Sequence, residues 1–153
     1  MSAKRFARSS SSSAAPRAVV DTNVFVSGLI GSLNATAIIA AFRAREFILV
    51  LSVDLLSELE RVLSRPKFRA RLNEREIEEL ATLIKHRGLL VEPSGELDLC
   101  RDPKDNWLLE AATEGEADMI VTGDEDLLVL GEFADIEILR PADFLHRLRA
   151  AAS

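Results

Sequence analysis

The chain has 153 residues, of which 48% are hydrophobic and 29% charged, and this composition suits one globular domain with a full core. No apolar run approaches the roughly 20 residues of a membrane span, and the single cysteine, Cys100, excludes an internal disulfide and a cysteine-based zinc site. The formal net charge is −6, and residues 21–153 hold 15 basic against 25 acidic side chains, an unusual balance for a nucleic-acid binder unless several acids surround bound cations.

Residues 1–16 form the first segment, which is rich in serine and alanine and contains a serine run from Ser9 to Ser13. Such a segment has little apolar surface to bury, so we expect a disordered tail over 1–16 and a folded domain over 17–150. The tail also loosely resembles an organelle transit peptide, although a solvated tail is the simpler interpretation.

The first predicted strand is the apolar run that ends at Val20, directly before Asp21. A short apolar run that is rich in valine and closed by polar turn formers is typical of a buried strand. Open α/β sheets bind ligands at the carboxyl ends of such strands, which makes Asp21 a candidate functional residue. Asp21 could equally serve only as the N-cap of the helix that follows.

The next predicted elements are a helix through 38–42, capped by Ser32 or Asn34, a buried strand over 47–51 and a helix that begins after Ser52. Glu58 lies at the edge of the apolar stripe of that last helix. An acid at this border suits a cleft-lining residue, but an exposed glutamate with a buried stem gives the same pattern. The stripe consists of Leu55, Leu56, Leu59, Val62 and Leu63.

A dense basic stretch surrounds Pro66, which ends that helix. These side chains could contact phosphates, or they could form a solvated helix face. Beyond them, Asn73 begins a helix that ends at Gly88, and a short strand covers 89–91. The basic residues are Arg61, Arg65, Lys67, Arg69, Arg71 and Arg75.

Asp102 and Pro103 predict the start of another helix, with Asp102 as N-cap and Pro103 in the first helical position. Asp105 then falls in the first turn, where acids are favoured for purely structural reasons. A strand over 118–122 follows and ends in Thr122, after which come Asp124 and Asp126. The last predicted elements are one helical turn over 127–130, an edge strand over 136–139 and a terminal helix from Pro141.

Strands that alternate with helices predict an α/β sandwich with a mainly parallel sheet. Asp21 and Asp124 then share the edge formed by the strands' carboxyl ends, and Asp105 and Glu58 can approach the same crevice. Gathered carboxylates repel one another by about 1–4 kcal/mol per pair, so the arrangement favours a bound hard cation such as Mg²⁺. Such ions can activate water for phosphodiester cleavage. Asn23 and Thr122 could orient the water or the phosphate.

Four segments together resemble the PIN-domain ribonucleases, and more narrowly the PIN family that supplies toxins of bacterial toxin–antitoxin systems. They are Val19-Val-Asp21-Thr-Asn23, Ser57-Glu58-Leu-Glu-Arg-Val-Leu, Asp102-Pro-Lys-Asp105-Asn and Ile120-Val-Thr122-Gly-Asp124-Glu-Asp126-Leu-Leu. The resemblance runs from about Arg17 to the terminal helix. It implies a three-layer α/β/α fold and Mg²⁺- or Mn²⁺-dependent endonucleolytic cleavage of single-stranded RNA. It also implies homodimers and a protein antitoxin.

The resemblance also assigns roles to single residues. Asp21, Glu58, Asp105 and Asp124 match the catalytic, metal-binding acids, and Asp126 is a further candidate ligand. Asp102 is expected to be a helix cap. The lone cysteine fits a reducing compartment, so we expect a cytoplasmic protein that does not enter the membrane.

Two other classes of protein also gather acids at strand ends, but this sequence lacks a residue that each of them needs. A haloacid-dehalogenase-type phosphotransferase needs an acid where this chain has Asn23, and a receiver-type phosphoacceptor needs a lysine at a late strand end. The alternative that remains open is a non-catalytic PIN-like module that binds RNA or a protein.

Overall fold

The structure is a computed structural model that describes residues 15–93 and 97–152. The predicted disordered tail, 1–16, lies outside these residues except for its last two positions. Pro16 is joined to the domain, since its carbonyl accepts a hydrogen bond of 2.8 Å from the Ile48 amide.

The sheet is mixed and mainly parallel, as predicted. Its strands within the described residues are β1 (Arg17–Val20), β2 (Ile48–Ser52), β3 (Leu89–Val91), β4 (Met119–Val121), β5 (Glu132–Phe133) and β6 (Ile136–Leu139). The order is β3-β2-β1-β4-β6-β5, with every neighbouring pair parallel except β5 and β6. The prediction that 136–139 is an edge strand was wrong, because the two-residue β5 pairs with its outer side and is too short to give a sequence pattern.

Eight helices within the described residues surround the sheet. They are α1 (Thr22–Leu29), α2 (Leu33–Arg43), α3 (Val53–Leu63), α4 (Pro66–Arg69), α5 (Glu74–Arg87), α6 (Pro103–Glu114), α7 (Glu125–Leu128) and α8 (Pro141–Ala152). Side-chain caps begin several of them as predicted, and the capping residues are Asp21, Ser52, Asn73 and Asp102. The turn predicted over 127–130 begins two residues earlier, because the Asp124 side chain caps it by accepting from the Asp126 amide.

The order of the strands shows where a ligand can bind. The chain runs outward from β1 to β2 and β3, then returns through α6 to β4 on the other side of β1. Because parallel crossovers are right-handed, this reversal places α6 on the face opposite α1 and α2 and gives a three-layer α/β/α sandwich. The crevice at the carboxyl ends of β1 and β4 is the switch point at which open α/β sheets bind ligands.

The core is built on β1, whose Ala18 and Val19 are fully buried between the two helical layers. On one side, α1 approaches α2 so closely that a Cβ on Gly28 would lie 2.8 Å from the Ala35 carbonyl oxygen, which explains the glycine. No single helix in 15–93 and 97–152 is long and apolar enough to cross a membrane. Only α1 and α2 taken together pass by length and composition, and they are bent by 101° at the break between them.

Candidate functional site

The strand ends of β1 and β4 bring three polar residues together at the switch point. Val20 is paired with Val121, so Asp21 and Thr122 emerge side by side, and the Asp21 amide donates to the Val121 carbonyl at 2.9 Å. The fully buried Thr122 hydroxyl donates to Asp21 Oδ2 at 2.7 Å and accepts from the Asp124 amide at 3.0 Å. One hydroxyl therefore fixes the spacing between the two strand-end acids.

Asp105 is the buried acid of the site. It lies in the first turn of α6, which Asp102 caps by accepting from the Lys104 amide, and only 4% of the residue is exposed. Its Oδ2 atom is buried and has no hydrogen-bond partner. Buried polar atoms are nearly always paired, so an orphaned carboxylate oxygen points to a ligand that fills its place.

Asp105 belongs to a cluster of three carboxylates. One oxygen each from Asp105, Asp124 and Asp126 lies within 4.8 Å of the other two. Asp126 is held there by its amide, which donates to Asp124 Oδ1 at 2.9 Å, and its side chain meets Arg101 at 3.4 Å. Three acids at this separation repel unless a cation or a proton lies among them.

Glu58 approaches the same crevice from α3. A cavity of about 160 Å³ separates it from the strand ends, and Arg65 from the turn after α3 also lines this cavity. The Glu58 side chain is only 12% exposed, and its Oε1 lies 3.2 Å from Lys104 Nζ. The acids that line the cavity are Asp21, Glu58, Asp102, Asp105 and Asp124.

Burial and the neighbouring acids raise the pKa of two carboxyl groups in the cavity, those of Asp21 and Asp105. Burial raises the pKa of Asp21, with repulsion from Glu58 and Asp124 adding to it, while the hydrogen bond from Thr122 opposes the rise. Burial raises the pKa of Asp105 to about 7, and the neighbouring Asp124 adds to the effect. The metal-free site therefore retains a proton near neutral pH that a bound cation would replace.

The donor set fits Mg²⁺ or Mn²⁺. All the candidate ligands are carboxylate oxygens, which hard divalent cations prefer, and the orphaned Asp105 oxygen lacks the partner that a metal ion would provide. Asp105, Asp124 and Asp126 would hold the ion, and Asp21 lies beside Asp124 through the shared Thr122 hydroxyl.

We expect the stability of the metal-free protein to fall as the pH rises from about 4 to about 7. The unfolded chain releases the Asp105 proton near its ordinary pKa of 3.8, whereas the folded chain retains it to about 7, so rising pH favours unfolding across that window. The slope from this group is up to about 1.4 kcal/mol per pH unit. Chemical denaturation in EDTA at pH 5, 6, 7 and 8 measures it. The prediction fails if wild type and Asp105→Asn show parallel pH profiles.

The predicted site residues are largely brought together. Asp21, Glu58, Asp105 and Asp124 line one cavity, and Asn23 is exposed at its mouth. Asp126 joins the carboxylate cluster, and Thr122 lies buried beneath the acids it connects. Their roles as metal ligands and substrate-orienting groups stay predictions.

Two basic side chains that line the cavity could not be assigned a specific role from the sequence alone. Lys104 lies within the Asp102–Asp105 segment, and Arg65 belongs to the basic stretch. The neighbours of Arg65 in that stretch are engaged elsewhere, since Arg69 pairs with Glu74 at 3.1 Å and Lys67 lies over the Phe68 ring. Composition marked the stretch as basic, but only the geometry singles out Arg65.

Comparisons with known proteins show which family and which proteins the chain is similar to. The model of the PIN domain family matches residues 17–126. The chain is 34% identical over 116 residues to the uncharacterized protein MJ1680 of Methanocaldococcus jannaschii, and the alignment covers 74% of each chain. Among solved structures it is similar to PAE2754 from Pyrobaculum aerophilum, with a TM-score of 0.49, 16% identity, and coverage of 89% of this chain and 98% of the other.

Proposed function

This chain belongs to the PIN domain family, whose members are generally metal-dependent nucleases, and on that premise we propose that it is an endoribonuclease that cuts single-stranded RNA with Mg²⁺ or Mn²⁺. The observation that carries the proposal is the buried, unpartnered Asp105 oxygen within the Asp105–Asp124–Asp126 cluster. A carboxylate in this setting is stabilised by a cation, and a structural helix cap does not need one.

A bound divalent ion would supply a coordinated water of lowered pKa and neutralise charge on the scissile phosphate. The chain's own residues would prepare the site for that chemistry. Asp21 and Asp124 are held in fixed register by the Thr122 hydroxyl, and burial limits the movement of Asp105. Catalysis by positioning depends on this kind of rigid support.

The cavity itself supports an RNA strand as the substrate. The acids that line it suit a phosphodiester group held through a bound divalent ion, and a flexible single strand can lower one phosphate into it. Arg65, which also lines the cavity, provides a positive charge for the phosphate backbone. Asn23, exposed at the mouth, offers a neutral amide to a phosphate or a sugar hydroxyl.

We further propose that the protein is the toxin of a toxin–antitoxin pair, acting in the cytoplasm as a homodimer. The resemblance of its four acidic segments to the toxin branch of the family supports this role. A protein antitoxin would then cover the acidic cavity and so keep RNA away from Asp21 and Glu58.

The test of the nuclease is a panel of single-stranded RNAs incubated with purified full-length protein in Mn²⁺ or Mg²⁺. We expect internal cuts that disappear in EDTA and return when excess metal is added. Protein that is folded by circular dichroism and binds RNA without cutting any member of the panel would favour the non-catalytic module. Cutting that persists in EDTA would contradict the role of the carboxylate cluster.

A further inference from the structure

The acids of the cavity fall into two groups that the chain treats differently. Asp105, Asp124 and Asp126 lie together, and the Oδ2 of Asp105 has no partner. Glu58 is not part of that cluster, and its charge is met by the Lys104 ammonium group at 3.2 Å. Asp126 of the cluster meets Arg101 at 3.4 Å on the exposed side, so the carboxylate that the chain leaves without a partner is the buried Asp105 oxygen.

The helix start explains how both arrangements arise from neighbouring residues. The Lys104 amide is fixed at 3.0 Å from Asp102 Oδ1 in the first turn of α6. From there Lys104 extends across the cavity to α3, while the next residue, Asp105, joins the carboxylate cluster. The first turn of α6 therefore places Asp105 in the carboxylate cluster and the Lys104 ammonium group beside Glu58.

The ionised form of Glu58 depends more on a nearby cation for its stability than that of an ordinary surface acid does. Its side chain is 12% exposed, and it shares a cavity with Asp21, Asp102, Asp105 and Asp124. Within a partly desolvated pocket of like charge, an ionised carboxylate requires a close positive partner. Lys104 is that partner, and it lines the same cavity as Glu58 and Asp21, the acids that a second divalent ion would otherwise use.

We propose that Lys104 is a built-in substitute for a second metal ion, so that this chain binds one divalent ion per protomer, at Asp105, Asp124 and Asp126. The inference rests on the proposed metal-dependent function and specifies its stoichiometry. Lys104 is a positioning residue here, since it acts by holding Glu58 and by keeping a second ion out.

The experiment counts Mn²⁺ ions on metal-free, full-length protein by isothermal titration, with free Mn²⁺ followed by electron paramagnetic resonance. Wild type is expected to bind one ion. Lys104→Met is expected to bind two, with the second dissociation constant at least about tenfold lower than any second binding event in wild type. Adding Glu58→Gln to Lys104→Met removes the freed ligand and should restore a count of one.

Lys85→Met is the matched control. Lys85 pairs with Glu60 at 3.0 Å on the same helix as Glu58, but both side chains are about half exposed and neither lines the cavity. This variant should bind one ion like wild type. Thermal melts of all four proteins in EDTA report whether each variant is folded, so a change in count can be separated from a loss of structure.

The outcomes separate the two proposals. One ion in wild type and one in folded Lys104→Met overturns the role of Lys104 and leaves the nuclease standing. Two ions bound by wild type would also overturn the role of Lys104 and leave the nuclease standing. No Mn²⁺ bound by wild type at millimolar concentration overturns both the single-ion site and the proposed metal-dependent function.

Discussion

Replacing Asp105 by Asn is expected to lower the rate of RNA cleavage by about a thousandfold and, in EDTA at pH 8, to raise the stability of the protein. The two effects have one cause, the burial of a carboxylate that needs a cation. The variant removes a buried carboxylate that we propose binds the metal ion, and a bound metal ion contributes several kcal/mol to such a reaction, with about 1.4 kcal/mol for each tenfold in rate.

The gain in stability follows from the pKa of the same group. Its rise from 3.8 to about 7 corresponds to about 4 kcal/mol that the metal-free fold loses when Asp105 is ionised. Asparagine carries no charge at pH 8, but its amide needs hydrogen-bond partners in the same buried place. The net gain in the free energy of unfolding is therefore roughly 2 kcal/mol, measured by urea denaturation in EDTA.

The chain contains a matched control for this substitution. Asp143 follows Pro141 at the start of α8 as Asp105 follows Pro103 at the start of α6, but Asp143 is exposed and does not line the cavity. Asp143→Asn loses a favourable interaction with the helix N-terminus and an exposed electrostatic attraction to Arg147, so it should lower stability by about 0.3–1 kcal/mol and leave cleavage unchanged. If Asp105→Asn destabilises the metal-free protein at pH 8 as well, the buried charge is not the source of the effect.

The fold was accessible from the sequence because its signals are local. Valine-rich runs closed by polar residues gave the strands of the parallel sheet, and side-chain caps such as Asp102 and Ser52 gave the helix starts. The two-residue β5 was missed because two residues carry no periodicity. Because β5 was not predicted, β6 was wrongly predicted to be an edge strand. The position of a strand in the sheet therefore depends on pairing partners that the strand's own sequence does not show.

The site was accessible for a different reason. Parallel topology alone brings the residues after β1 and β4 to one edge, so Asp21 and Asp124 could be placed together before any contact was known. What the sequence could not show was the direction of long side chains. Lys104 lies in a cavity lined by five acids, and only the packing of α6 against α3 selects Glu58 as its partner.

The Thr122 hydroxyl provides the second large effect. Thr122→Val keeps the shape of this fully buried side chain but removes the donor to Asp21 and the acceptor for the Asp124 amide. We expect cleavage to fall by about 10–100-fold and stability by about 1–3 kcal/mol, because the partly buried Asp124 amide loses this partner and Asp21 loses its fixed orientation. Thr122→Ser retains the hydroxyl and should recover most of the cleavage rate.

Thr113→Val is the matched control, since its hydroxyl bonds only the Leu109 carbonyl within α6, at 2.9 Å, and it should leave the cleavage rate unchanged. Wild-type cleavage by Thr122→Val would show that the spacing of Asp21 and Asp124 does not depend on this hydroxyl, whereas equal loss in the serine and valine variants would show that the hydroxyl alone does not account for the effect.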